Sequence, residues 1–198
     1  MIIAAALRAF TKAGDVRGTT MKAIAREAKL SDGAIYKHFS SKDELYRAAV
    51  VEPLHMAMIR AMDTAHLTNE TVGVEPVSLA GASVEDLLTM SRDSVIALTL
   101  QLKKMLPLLN LVLFGNPGAA QAFYKESYTP ALDALADLIR ATLPADRKHL
   151  AETSARMYFG QCLAFAIALR LDPKFDLDIA AGQAAQLRVF GADLPQVG

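Results

Sequence analysis

Apolar residues in this chain recur at spacings of three and four from the second residue onward, a helical period, and nowhere settle into the alternation of a strand. Ile3, Leu7 and Phe10 predict a first helix over Ile2–Ala13, turned inward on that face and closed by Gly14. Ile24, Ala25 and Ala28 form one face of a second helix, with Thr20 as its N-cap. Lys29-Leu30 makes a short break, and Leu30 is apolar enough to hold that corner in a core. Ser31 caps a third helix through about Phe39, with Ile35 and Phe39 inward and Gly33, Tyr36 and Lys37 on the outward face. Ser41 with Glu44 is a capping box for a fourth helix from about Lys42. Leu45, Ala49, Leu54, Met58 and Met62 carry it at least to Met62. Pro53 lies inside it, denies the Ala49 carbonyl its usual donor and predicts a bend. That bend is either a passive kink or a joint between head and body.

Periodicity fails from His66 to Ala82, which predicts a long connecting loop. Ser83 caps the next helix, through about Met105, and Pro107 opens a short apolar one at Leu108–Phe114. After the break Gly115-Asn116-Pro117-Gly118, a helix over Ala119–Leu143 contains Pro130, which predicts a kink near Ser127. Pro144 ends it. From Met157 to Leu169 only Gln161 is polar, so such a helix needs a partner on more than one side. Gly160, Ala164 and Ala168 make a smooth stripe there, and Leu177–Phe190 adds Ala181 and Ala184. Two such helices meeting a second copy would form a four-helix dimer interface through Met157, Gly160, Ala164, Ala168, Ala181 and Ala184. The competing reading is a wholly internal core helix. The fold class is all-α, with a helix-turn-helix domain over 1–47 and a helical body over 48–198, joined by the fourth helix from about 42.

Composition changes this picture little. The chain has 198 residues, 53% hydrophobic and 21% charged, enough for one large core or two modest ones. No apolar run reaches the ~20 residues a membrane helix needs, and the longest, Met105–Gly115, is interrupted by Pro107 and Asn110. Arg8 and the want of a basic leader argue against a signal peptide, so a cytoplasmic location is expected. Net charge is zero, but residues 1–47 hold nine Lys/Arg against five Asp/Glu and the remainder holds twelve against sixteen. A basic head on an acidic body suits a polyanionic partner. The single Cys162 excludes an intrachain disulfide and reads as a buried, inert thiol. His38, His55, His66 and His149 lack metal-ligand spacing, and no nucleotide-binding loop or acid–base pair is present. No cofactor is expected, and an enzyme is disfavoured.

The outward face of the third helix supplies chemistry for a duplex. Gly33 and Ala34 let the backbone approach closely, and Ala34 suits a thymine methyl. Tyr36, Lys37, His38 and Lys42 suit phosphate oxygens, while Thr20 and Lys22 clamp the backbone from the preceding helix. With Ser31, Ala34, Ile35, Tyr36, Lys37, His38, Phe39 and Lys42 in this spacing, the stretch resembles the DNA-binding domain of the TetR family of bacterial transcription regulators. The resemblance covers about the first quarter of the chain. It implies a homodimeric regulator, a repressor that releases a palindromic operator when a small apolar or amphipathic ligand binds its body. It also implies a ligand cavity among the body helices, where Met90, Met105, Phe114 and Phe123 lie with Tyr124, Tyr128 and Phe159.

Two positions depart from the family pattern. Lys29 stands at a corner usually held by Gly, where φ > 0 costs a non-Gly residue on the order of 1 kcal/mol. Asp32 stands where a neutral or basic residue is usual; it either assists the helix N-terminus or accepts from a cytosine amino group, and the first is favoured. The family's basic arm before the first helix is also missing, because the arm is absent or because the given start lies inside the natural one. These departures sustain an alternative: a small-molecule-binding helical dimer with a weak or vestigial DNA-binding head.

Overall fold

A computed structural model describes residues 1–70 and 83–190, with side chains outside 62–70 and 189–190. Every regular element among the described residues is helical, and the protein is all-α. In order they are α1 (Ile2–Ala13), α2 (Met21–Ala28), α3 (Asp32–Tyr36), α4 (Lys42–Tyr46), α5 (Glu52–Glu70), α6 (Val84–Gly115), α7 (Pro117–Phe123), α8 (Thr129–Thr142), α9 (Ala151–Leu171) and α10 (Leu177–Phe190). Wider π turns at Arg47–Val51 and Tyr124–Tyr128 join α4 to α5 and α7 to α8 without a break, and a 3₁₀ turn at Ala145–Leu150 precedes α9.

Two compact units form. The first comprises Met1–Ile59 with Met105–Pro130, the second Arg60–Lys104 with Ala131–Gly198. The first is therefore larger than a head of 47 residues. Phe10, Ile24, Ile35, Leu45 and Val50 fill its centre, and Phe10 meets Tyr46 edge to face at 5.4 Å. The Tyr46 hydroxyl donates to the Leu111 carbonyl at 3.1 Å in the interior, tying the second segment to the head. Ile3, expected inward, is 45% exposed; Ala5, Ala6 and Phe10 make the buried face of α1 instead.

The caps follow the sequence closely. Gly14 adopts φ 78°, and the hydroxyls of Thr20, Ser31 and Ser41 accept from Ala23, Ala34 and Glu44 N–H. In the box at α4 Glu44 reaches back as far as Ser40, accepting from its N–H and its hydroxyl at 2.7 Å each.

The prolines behave in two ways. In each π turn the residue just before the proline donates five residues back: Glu52 to the Arg47 carbonyl, Thr129 to the Tyr124 carbonyl. The extra backbone makes room for the rings of Pro53 and Pro130, so the expected bends take the form of widened turns. α5 meets the second π turn where His55 Nδ1 lies 2.7 Å from Ser127 Oγ. Pro107 does not end a helix as expected. α6 runs through it with Leu102, Met105, Leu109 and Val112 buried on both sides. Burying each such side chain contributes about 1.5–3 kcal/mol, which together outweighs the ~3 kcal/mol a mid-helix proline costs. Its would-be acceptor residue, Lys103, lies on the exposed side of the helix. By length and composition α6 is also apolar enough to cross a membrane, which the sequence reading did not anticipate; 44% of its apolar window is buried inside the protein.

α5 continues to Glu70, so 66–70 are helical where a loop was expected, and the remainder of that predicted loop lies outside the described residues. Ser83 and Asp86 cap α6 reciprocally, and Asn116 caps α7 with Pro117 behind it, two residues earlier than expected.

Candidate nucleic-acid interface

The corner before α3 is built by Lys29, which takes φ 56° and ψ 41°. Leu30 N–H then reaches the Ala25 carbonyl at 2.9 Å, closing α2 in a left-handed cap that a glycine would adopt without strain. Asp32, exposed in the first turn of α3, sits where a carboxylate favours the helix N-terminus. α3 is a turn shorter than expected, because His38 and Phe39 N–H both donate to the Ile35 carbonyl and tighten the chain. Ile35 is fully buried and Phe39 half-buried, so α3 is pinned from beneath.

Of the residues assigned to DNA, Thr20, Lys22, Gly33, Tyr36, Lys37 and His38 are exposed, and Tyr36 shows 54% of its surface. They divide into two faces. Gly33, Tyr36 and Lys37 form the outward stripe. Ala34 and His38 line an open groove of about 520 Å³ with Met1, Ile2, Ile3, Leu30 and Phe39. Lys42 differs most from expectation. Its ammonium donates to the Thr19 carbonyl at 3.0 Å, and the side chain is half-buried. Thr19 in turn donates to the Asp15 carbonyl at 3.1 Å, so Lys42 braces the loop that ends in the Thr20 cap. An exposed Arg8–Glu27 pair at 2.7 Å joins α1 to α2.

The proposed ligand residues do not come together in one unit. Met105, Phe114, Phe123, Tyr124 and Tyr128 belong to the first, Met90 and Phe159 to the second. Phe114 is 80% exposed and Tyr124 52% exposed, so neither lines an interior of its unit. Tyr124 stacks on Tyr128, one turn away on the same helix.

Of the residues assigned to a dimer contact, Met157, Gly160 and Ala164 are exposed and Ala168 is half-buried. With Ile167 and Leu171 the exposed ones continue an apolar row at spacings of three and four along α9. Ala181 and Ala184 are corrected: both are buried within the chain and cannot face a partner. Among the described side chains of α10 the large exposed apolar ones are Leu187, which the sequence pattern also offers, and Ile179, which it does not.

A short helical hairpin with a left-handed corner, a pinned second helix and an outward stripe carrying Tyr36 and Lys37 has the form of a helix-turn-helix head, and every regular element among the described residues is helical. Residues 2–49 match the family model of bacterial regulatory proteins, tetR family. Over those residues the chain is similar to that family's N-terminal domain, and it shares its overall fold with solved TetR-like proteins. Similar solved structures include a TetR-like transcriptional regulator from Rhodococcus sp. RHA1, 21% identical, covering 96% of this chain and 92% of that one, TM-score 0.62. The fatty acid degradation regulator FadR from Bacillus halodurans is 19% identical, covering 95% and 92%, TM-score 0.59. FadR from Bacillus subtilis in complex with stearoyl-CoA is 18% identical, covering 96% and 97%, TM-score 0.54. No curated protein matches the chain.

Proposed function

We propose that this chain is a cytoplasmic, non-enzymatic DNA-binding transcription regulator that acts as a homodimer on a palindromic operator. It represses, and a small apolar or amphipathic ligand releases it. One observation carries the reading: the exposed Gly33–Tyr36–Lys37 stripe on a helix fixed from below by Ile35 and at its start by Ser31. A stripe so placed enters a major groove, with Thr20 and Lys22 on the adjoining phosphates. The α9 row of Met157, Gly160, Ala164, Ile167 and Leu171 supports the dimer, since an exposed apolar face of that length marks an interaction surface. The ligand response draws support from the stearoyl-CoA complex of B. subtilis FadR.

Selection of bound duplexes from a random pool tests the reading. A palindromic consensus is expected; recovery of no preferred sequence would sink it. The Lys42 ammonium, engaged by the Thr19 carbonyl, is one cation fewer for phosphate contact and keeps a second reading in view, a ligand-binding helical dimer whose head is vestigial. Gel shift against mixed duplexes separates the two, because a vestigial head shifts none of them.

A further inference from the structure

Helix α2 has two solvent flanks, and they are charged differently. Ile24, Ala25 and Ala28 are buried and turn the helix against the core of the head. On one flank Glu27 accepts from Arg8 Nε at 2.7 Å, so its charge is paired across to α1. On the other, Lys22, Arg26 and Lys29 follow one another at spacings of four and three, all exposed. Among the described residues no ion pair or hydrogen bond engages the charged ends of these three. Like charges one turn apart repel, so the row weakens the helix that carries it.

Lys29 adds a cost in the backbone. It is the one non-glycine with positive φ among the described residues, at 56°. Glycine would close α2 there without strain. Four residues on, Gly33 reverses the mismatch. It lies inside α3 without a positive φ, and a Cβ added to it would meet nothing within 4 Å. Packing within the chain therefore does not ask for glycine there, and alanine would favour the helix. Both residues work against their local structure, and both suit an anion lying across the corner. Gly33 admits it close to the backbone, and Lys29 places a cation at its rim.

We infer that Lys22, Arg26 and Lys29 form a phosphate-binding edge of the head, in which Arg26 and Lys29 add contacts beyond those of Lys22 and the α3 stripe. The edge deepens the DNA-binding reading and rests on it. In a helix-turn-helix the first helix crosses the sugar–phosphate backbone while the second enters the groove. A row of cations along that first helix follows the strand it crosses. Arg26 offers a planar fork and Lys29 a point charge on a long stem, and neither reads sequence through a phosphate. The two supply the charge that Lys42, held by the Thr19 carbonyl, does not.

The test is fluorescence anisotropy of the full chain on two probes of equal length, the duplex recovered from the random-pool selection and a mixed-sequence duplex. Arg26→Gln and Lys29→Gly are each expected to weaken both probes severalfold and by like factors. Each should also make the fall of log affinity with log salt shallower by about 0.9 for the phosphate given up. Lys29→Arg keeps the charge and should keep the parent slope. Lys29→Gly removes the strained φ, so its melting temperature is expected to stay level or rise while affinity falls, which unfolding would not do. It also stands in if Arg26→Gln does not fold. Lys148→Gln, in the 3₁₀ turn before α9, makes the same charge change elsewhere and should leave the slope as in the parent. A parent that binds while Arg26→Gln and Lys29→Gly both keep its slope overturns the edge and leaves the DNA-binding reading standing. A slope lowered equally by Lys148→Gln does the same. A parent that binds neither probe at about 50 mM salt removes the reading and the edge together.

Discussion

At the level of single residues, two lysines of the head do opposite things. Lys37 is exposed on the outward stripe, while Lys42 holds the Thr19 carbonyl. Lys37→Ala should weaken DNA binding markedly and leave the melting temperature nearly unchanged. Lys42→Met removes a charged hydrogen bond worth about 1.5–3 kcal/mol and should lower the melting temperature first, with DNA binding following through the displaced Thr20. Calorimetric melts beside gel shifts separate the two, and the reverse pattern would exchange their roles. Glu44 adds a pH dependence. Hydrogen bonds from the Ser40 side chain and backbone hold its carboxyl below the ordinary 4.5. The unfolded chain therefore binds the proton first, so the contribution to stability is present above about 4.5 and fades as pH falls through the lowered folded value. Melts taken between about pH 6 and pH 3 should show the gap between the parent and Glu44→Gln closing with acid; a gap constant across that range would remove Glu44 as the source.

Among the elements, local signals transferred well and tertiary ones did not. Thr20, Ser31, Ser41 and Ser83 each cap the helix their chemistry announces, because a cap depends on three or four neighbouring residues. Pro107 misled because its local effect is outweighed by burial along the whole of α6, which no short window contains. Lys42 and Thr19 are 23 residues apart, and nothing near either residue announces their pairing. The same scale holds the link between α5 and the second π turn. His55→Ala leaves the buried Ser127 hydroxyl without its partner and should destabilise by about 1–3 kcal/mol in urea unfolding. Ser127→Ala in the same background should recover part of that loss, and strictly additive effects would mean that the contact contributes nothing.

For the whole molecule, the dimer and the salt response are the predictions with most reach. Ala164→Glu sets a charge in the middle of the exposed α9 row and should convert a dimer to monomer in sedimentation velocity. A parent that sediments as a monomer at micromolar concentration would end the dimer reading. If each head neutralises phosphates, log affinity should fall with log salt by about 0.9 per phosphate neutralised, and a salt-indifferent complex would contradict the electrostatic stripe. The π turns carry one more consequence. Each holds an extra residue relative to an α turn, which is the geometry of a one-residue insertion absorbed without a loop. Each residue advances an α-helix by about 100°, so a turn that absorbs the extra residue is what keeps Leu54 and Met58 in phase with Leu45 and Ala49, all of them buried. Deleting one residue within Arg47–Val51 would therefore restore ordinary α turns with Leu54 and Met58 still inward. Adding a further residue that the turn does not absorb would instead swing everything beyond it by about 100° and carry a polar position such as Arg60 toward the interior, although the composition would hardly change.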